Sequence, residues 1–305
     1  MSKTFSYLLT FLTGIIITVM VVCNTELGVK TNIEVSTIMN QVIAIAILSI
    51  FLLSCRKNTY ILPKQKKARW YWFFGGSFGI VIVFINYFTV LNIGATLAMA
   101  GAVFGQSLMG LIIDITGFMY LPKRKTTRVK IISIVICYIG IFIMSAFSAS
   151  TINWLYLLLA IIAGMITMFQ MSYNAHLASF KGPVVSTLVN VISGLFTVTL
   201  FSFLFFREET LEAFTVLPSV PFYLIVSGSI LGIFVVVNTN IVIPKIPAVY
   251  SALLLSSGQI LTSLVFDVLL YNRFSLSLFI GTAVMIIGLI YGTREEITST
   301  SCPVK

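Results

Sequence analysis

Apolar stretches long enough to cross a bilayer recur along the whole chain, and this recurrence limits the fold more than any other feature. A hydrocarbon core about 30 Å thick is crossed by a helix of roughly 20 apolar residues at 1.5 Å rise each. Ten such stretches can be marked, at about 5–23, 34–55, 70–90, 94–119 and 129–147, then 152–173, 184–206, 221–243, 248–270 and 275–292. Membrane strands are excluded by these lengths, because a strand needs only about 10 residues and an alternating pattern. Only 9% of the residues are charged and 58% are hydrophobic, against about 25% charged in a soluble domain. The chain therefore reads as an all-α integral membrane protein with ten transmembrane helices.

The net charge of +10 would suggest a nucleic-acid partner in a soluble protein. Here the basic residues sit in short loops between apolar spans, so membrane orientation explains them and no nucleic-acid partner is expected. With the N-terminus cytoplasmic, the inner loops and ends collect 16 of the 19 basic residues, leaving only Lys30, Arg207 and Arg273 outside. An even number of spans then places both termini in the cytoplasm. Trp70, Tyr71 and Trp72, and later Trp154 and Tyr156, mark the membrane–water interfaces. The first apolar stretch reads as a retained span, since Val21 and Val22 before Cys23 make a poor cleavage site. Cys23, Cys55, Cys137 and Cys302, with the single His176, lack the spacing of a metal site. No cofactor is expected. The terminal Cys302-Pro303-Val304-Lys305 does not fit a prenylation box.

A duplication is written in the rare polar residues. Asn24 and Asn40 match Asn174 and Asn190, with Ser36-Thr37 matching Ser186-Thr187 between them. Gly79 and Asn86 match Gly232 and Asn238 with one residue of slippage, and Gly105, Gln106 and Asp114 match Gly258, Gln259 and Asp267. The offset stays between 150 and 153 residues, which divides the chain into repeats 1–150 and 151–305. Each repeat holds five spans. An odd count forces the two copies into opposite orientations, the inverted repeat of many secondary transporters, with a site expected near the midplane between the halves.

Polar residues inside membrane spans are costly and mark function by default. Ala248, Ala252, Ser256, Gln259, Ser263 and Asp267 fall on one stripe of the ninth span, and Gln106, Gly110 and Asp114 repeat part of it on the fourth. Gln106 and Gln259 are candidates to line a central cavity; the alternative is helix–helix hydrogen bonding. Asn24, Asn86, Asn174 and Asn238 offer a donor and an acceptor without charge, suited to a polar solute or to tying two helices together. Asp114 and Asp267 are candidate ion-coupling carboxylates, or else interfacial carboxylates that are solvated or paired with nearby bases. His176 reads as a solvated interfacial histidine, and Lys181-Gly182-Pro183 as a turn.

The runs Gln170-Met171-Ser172-Tyr173-Asn174-Ala175-His176-Leu177 and Gly105-Gln106-Ser107-Leu108, with Asp114 following, resemble the YdcZ-type branch of the drug/metabolite transporter superfamily. Its members occur as five-span units and as fused ten-span chains, and this sequence resembles a fused pair over nearly its whole length. The resemblance implies a ten-helix inverted-repeat fold in a bacterial inner membrane and export of a small solute, with spans one, three, four, six, eight and nine lining the cavity. Met20 stands where the second copy has Gln170, which departs from a symmetric site. The expected function is a secondary transporter working by alternating access, proton coupling being one option, as monomer or homodimer. The alternative is a non-transporting receptor or assembly factor. An enzyme is not expected, because two isolated aspartates at opposite faces do not form a catalytic cluster.

Overall fold

The computed structural model describes residues 3–55, 67–117, 123, 127–146, 153–246, 248–269 and 276–299. Arg56, Lys57, Lys64, Lys66, Arg124, Lys125, Arg273, Cys302 and Lys305, and the join at 148–151, lie outside the described residues. Eleven α-helices follow in order: α1 (Lys3–Lys30), α2 (Ile33–Ser54), α3 (Gly75–Ile93), α4 (Ala95–Thr116), α5 (Arg128–Ala146), α6 (Trp154–Lys181), α7 (Pro183–Phe205), α8 (Arg207–Val216), α9 (Phe222–Val242), α10 (Ala248–Leu269) and α11 (Leu276–Ser299). A 3-10 turn, Trp70–Phe74, leads into α3. Among the described residues there is no strand.

Among the described residues, eight helical stretches are long and apolar enough to cross a membrane. The other two expected spans, α5 and α11, carry shorter apolar runs, Ile131–Gly140 and Phe279–Gly292. Large apolar side chains such as Leu53, Phe196, Leu204 and Ile287 are exposed, which lipid tolerates and water does not.

Three helix ends differ from expectation: α11 runs to Ser299, seven residues past its expected end, and the other two differ for a physical reason. α1 and α6 continue to Lys30 and Lys181, past the polar residues at which the apolar count ends. Asn24 and Asn174 do not break these helices because their side chains bond to neighbouring helices. The expected turn at Gly182 is present: Gly182 has φ 84°, and Pro183 opens α7, where its missing N–H costs nothing. The short helix α8 was not expected.

The chain forms two compact units, and neither coincides with a sequence repeat. Unit 1 comprises Met1–Thr18, Thr89–Met168 and Ile246–Lys305; unit 2 comprises Val19–Phe88 and Phe169–Lys245. Each takes residues from both repeats.

In unit 1, α4 packs along α10 and α5 along α11. Glycines allow backbone contact at the remaining crossings. A Cβ on Gly105 would overlap the Ile161 carbonyl of α6, and one on Gly164 would overlap Ala102 of α4. The equivalent positions of the other copy behave alike, Gly258 against Phe11 and Gly14 against Leu255. Such small-residue contacts let membrane helices approach closely.

In unit 2, α2 packs on α7 and α9. Apolar clusters fill the space, among them Ile38, Ile80 and Val198, and Ala44, Leu48 and Val191. α3 and α9 run in opposite directions. The start of α3, at Gly75, meets Asn174 of α6, and its later residue Tyr87 meets Gly28 of α1. α9 meets Asn24 and Asn40 at Gly228 and reaches Pro183 with Asn240. Twelve residues separate the two contacts on each helix, about 18 Å of rise.

These contacts set opposite signs for two glycine substitutions. Gly164→Ala is expected to lower the melting temperature of the detergent-solubilised protein, because overpacking by about 1–3 kcal/mol outweighs a helix-propensity gain of about 1 kcal/mol. Gly232→Ala is expected to leave it unchanged or raised, since its Cβ would meet only Met20 Sδ at 3.5 Å.

Candidate functional site

The polar residues singled out by the sequence fall into two groups, one in each unit. Gln106, Asp114, Gln259 and Asp267 lie in unit 1, and Asn24, Asn86, Asn174 and Asn238 in unit 2.

α4 is the most enclosed of the eight candidate spans, and it runs antiparallel to α10. Gln106 and Gln259 face each other midway, 2% and 0% exposed, with Gln106 Nε2 donating to Gln259 Oε1 at 3.3 Å. Thr18 Oγ1 donates to the Gln259 backbone carbonyl at 3.0 Å. One edge of the amide pair stays open: Gln106 Oε1 and Gln259 Nε2 are buried without a hydrogen-bond partner. A buried unpaired polar atom costs about 1–3 kcal/mol, and this edge carries two.

The two aspartates close the ends of the same helix pair. Asp267, on the last turn of α10, accepts from the backbone N–H groups of Ala95 at 3.1 Å and Thr96 at 2.6 Å. These are the first residues of α4, whose N-cap Gly94 has φ 79° and makes no side-chain cap. Asp114, near the end of α4, accepts from the N–H of Ala248, the first residue of α10, at 3.2 Å. Each carboxylate thus accepts at the N-terminus of the partner helix, where the otherwise unpaired N–H groups and the helix dipole favour negative charge. Both are buried, at 3% and 2% exposure. Nineteen residues separate Ala95 from Asp114, about 28 Å of helix, so the caps stand near opposite interfaces.

In unit 2 the asparagines pair across helix turns. Asn40 Nδ2 donates to Asn24 Oδ1 at 2.8 Å, and Asn174 Nδ2 donates to Asn190 Oδ1 at 2.9 Å. Ser36 and Ser186 hydroxyls donate to the Asn24 and Asn174 backbone carbonyls at 3.1 and 2.9 Å. Each pair lies against a glycine of another helix, Gly228 for the first and Gly75 for the second. Asn174 Oδ1 has no hydrogen-bond partner. Gln170 adds two bonds around the second pair, to the Gly75 carbonyl at 2.9 Å and to Asn190 Oδ1 at 3.3 Å. Asn86 and Asn238 are half-buried.

Three features escaped the sequence reading. Asn240, two residues beyond Asn238, is the buried one; its Nδ2 donates to the Pro183 carbonyl and to Thr187 Oγ1, both at 3.2 Å. Had the offset of 153 been kept through this span, the match of Gly75 to Gly228 would have pointed away from Asn238. His176 is half-buried rather than simply solvated, with its ring 4.3 Å from Trp72 and 5.2 Å from Phe180. Asn40 and Asn190 were visible as repeat markers, but their bonds cross from one helix to the next and no single-helix stripe reveals them.

The capping geometry orders three variants. Asp267→Ala is expected to destabilise the protein by about 2–4 kcal/mol, because two buried N–H groups lose a charged acceptor. Asp267→Asn, which retains one acceptor oxygen, is expected to cost about half as much, and Asp114→Asn less than Asp267→Ala. Thermal unfolding in detergent, followed by loss of the monodisperse peak, checks the order.

A family model described as "Putative inner membrane exporter, YdcZ" matches residues 5–143 and again residues 155–291. No curated protein matches the chain. A solved structure titled "Crystal structure of protein" has a similar fold, at 17% identity and a TM-score of 0.61, covering 96% of this chain and 98% of that chain. The double match spans nearly the whole sequence and divides it where the polar repeat does, so the chain belongs to the YdcZ family of the drug/metabolite transporter superfamily as a member carrying two copies of the family unit.

Proposed function

We propose that the chain is a secondary transporter that exports a small solute across the inner membrane by alternating access. Its ten spans then form two inverted five-helix repeats with both termini cytoplasmic. Family membership supports export. The antiparallel courses of α4 and α10 in unit 1, and of α3 and α9 in unit 2, support inversion.

The observation that carries the reading is the kind of bond that holds the buried polar groups. Gln106 to Gln259, Asn40 to Asn24 and Asn174 to Asn190 are neutral amide pairs. An ordinary hydrogen bond contributes only about 0.5–1.5 kcal/mol net. Neutral pairs can exchange one partner for a solute without stranding a charge in the bilayer, whereas a buried ion pair cannot. Within unit 1 we assign a solute contact to the open edge of the glutamine pair; within unit 2 the candidate contacts are Asn174 Oδ1, Asn24, Asn86 and Asn238. An amide-lined site suits neutral, cationic or amphipathic solutes better than strongly anionic ones.

Asp114 and Asp267 bear on energy coupling in a specific way. A proton taken up by either carboxylate removes acceptor capacity from a helix N-terminus. Coupling through them is therefore coupling to the α4–α10 contact itself.

Proteoliposomes loaded with a pH indicator test this function. A panel of small cations, amino acids and hydrophobic amines would be applied with and without a proton gradient. We expect flux of at least one solute, reduced about tenfold or more in Gln106→Ala and Gln259→Ala by loss of one or two hydrogen bonds at the site. Solute-driven proton movement that disappears in Asp114→Asn or Asp267→Asn, while solute exchange persists, assigns coupling to that carboxylate. No solute-dependent flux from folded protein across a broad panel would overturn the transporter reading in favour of a receptor or assembly factor.

A further inference from the structure

The two ends of unit 2 are related by the repeat but built with unequal strength. At one end α3 begins, against α6 and α7. Gln170 bonds the Gly75 carbonyl, the Gly76 N–H donates to Ser193 Oγ at 2.9 Å, and Ser77 Oγ meets Thr197 Oγ1 at 2.7 Å. The Tyr173 hydroxyl donates to the Tyr71 carbonyl. Trp72, 6% exposed, closes over this end with ring contacts to Tyr173 at 4.7 Å and His176 at 4.3 Å. At the other end α9 begins, against α1 and α2. Offsets of 150 between α1–α2 and α6–α7, and of 153 between α3 and α9, give the equivalent residues. Gln170 becomes Met20, Ser193 becomes Ile43 and Thr197 becomes Ile47; Ser77 becomes Ile230 and Trp72 becomes Ile225. None of these five can make the side-chain hydrogen bonds or ring contacts of its counterpart. The α9 end has one bond of its own, Ser229 Oγ donating to Asn40 Oδ1 at 3.3 Å, where the α3 end has Gly76; what the ends share is the asparagine pair packed on a glycine.

From this inequality we infer that the α3 end of unit 2 is a clasp that biases the resting protein shut there, so that the α9 end, around Asn24, Asn40 and Gly228, is the end that opens first. The inference rests on the alternating-access reading. With the orientation assigned by the basic loops, the clasped end is cytoplasmic, and the resting protein is closed to the inside. The difference lies in hydrogen bonds and stacking that one repeat has and the other lacks. A two-state equilibrium shifts by the differential free energy of its two states, and this clasp supplies such a difference without any ligand.

The chain carries a native reporter at each end. Trp72 is buried within the clasp, and Cys23, half-buried, holds the position equivalent to Tyr173 at the α9 end. With Trp70→Phe, Trp154→Phe, Cys55→Ser, Cys137→Ala and Cys302→Ser, each reporter becomes unique. In nanodiscs, acrylamide quenching of Trp72 reads the clasped end, and labelling of Cys23 by a water-soluble maleimide reads the other. Two variants weaken the clasp alone. Gln170→Met installs the residue that its own repeat partner accommodates, and Ser193→Ala removes only the hydroxyl on the Gly76 N–H.

We expect both variants to raise Trp72 quenching and to slow Cys23 labelling, by about threefold or more, the population shift that follows loss of one or two ordinary hydrogen bonds. Raised Trp72 quenching with unchanged Cys23 labelling would keep the clasp and refute alternation between the ends, and with it the transport mechanism. No rise in Trp72 quenching in either folded variant overturns the clasp, whatever Cys23 does. Monodisperse elution and unchanged helical circular dichroism establish that the variants are folded.

Discussion

A polar group inside a bilayer has no water to turn to, so it must find its partner within the chain. The pairing of α4 with α10 answers this demand along a whole helix length. At the middle one glutamine amide bonds the other; at each end an aspartate accepts from the buried N-terminal N–H of the opposite helix. Every one of these contacts joins a residue of one repeat to its counterpart region in the other. A single five-span copy could make none of them alone, and unit 1 is accordingly assembled from both repeats. The close glycine crossings, Gly105 on α6 and Gly258 on α1, lie one residue before each glutamine and bring four helices together around the amide pair.

Unit 2 solves the same problem with weaker and more uneven means. Its two asparagine pairs are neutral, each stacked on a glycine of a third helix. Around one pair the chain adds Gln170, Ser193, Ser77, Thr197 and an aromatic stack. Around the other it places Met20 and isoleucines.

Much of this organisation was legible in the residues. The apolar runs predict several helix ends to within a few residues, as at Pro183, whereas α11 runs past Arg294 to Ser299. The constant offset of rare Gln, Asn and Asp pointed to duplication, and the family match divides the chain in the same place. What the sequence could not reveal was which polar residue meets which. The stripe on α10 suggested a cavity wall, but a helical stripe looks the same whether it faces solvent or another helix. Asp267 reads as a coupling carboxylate or as an interfacial one that is solvated or paired with a nearby base; the partners the structure gives it are backbone N–H groups 171 and 172 residues away, and a backbone donor leaves no mark in a sequence. α1 and α6 outran their apolar cores for a related reason, since Asn24 and Asn174 each hydrogen-bond to an asparagine of the next helix and so tolerate the helix interior. His176 was read from its own span alone, and the Trp72 ring that covers it comes from a segment 104 residues earlier.

The central claim is that Gln106 and Gln259 are partners at the heart of unit 1, and a double-mutant cycle tests it most directly. Gln106→Leu, Gln259→Leu and the double variant would be compared by thermal unfolding in the same detergent. If the two amides satisfy each other, each single variant strands a buried polar group and loses about 1–3 kcal/mol, while the double variant, apolar on both sides, recovers most of that loss. Losses that simply add in the double variant would contradict the pairing, and with it the account of how the two repeats are held together.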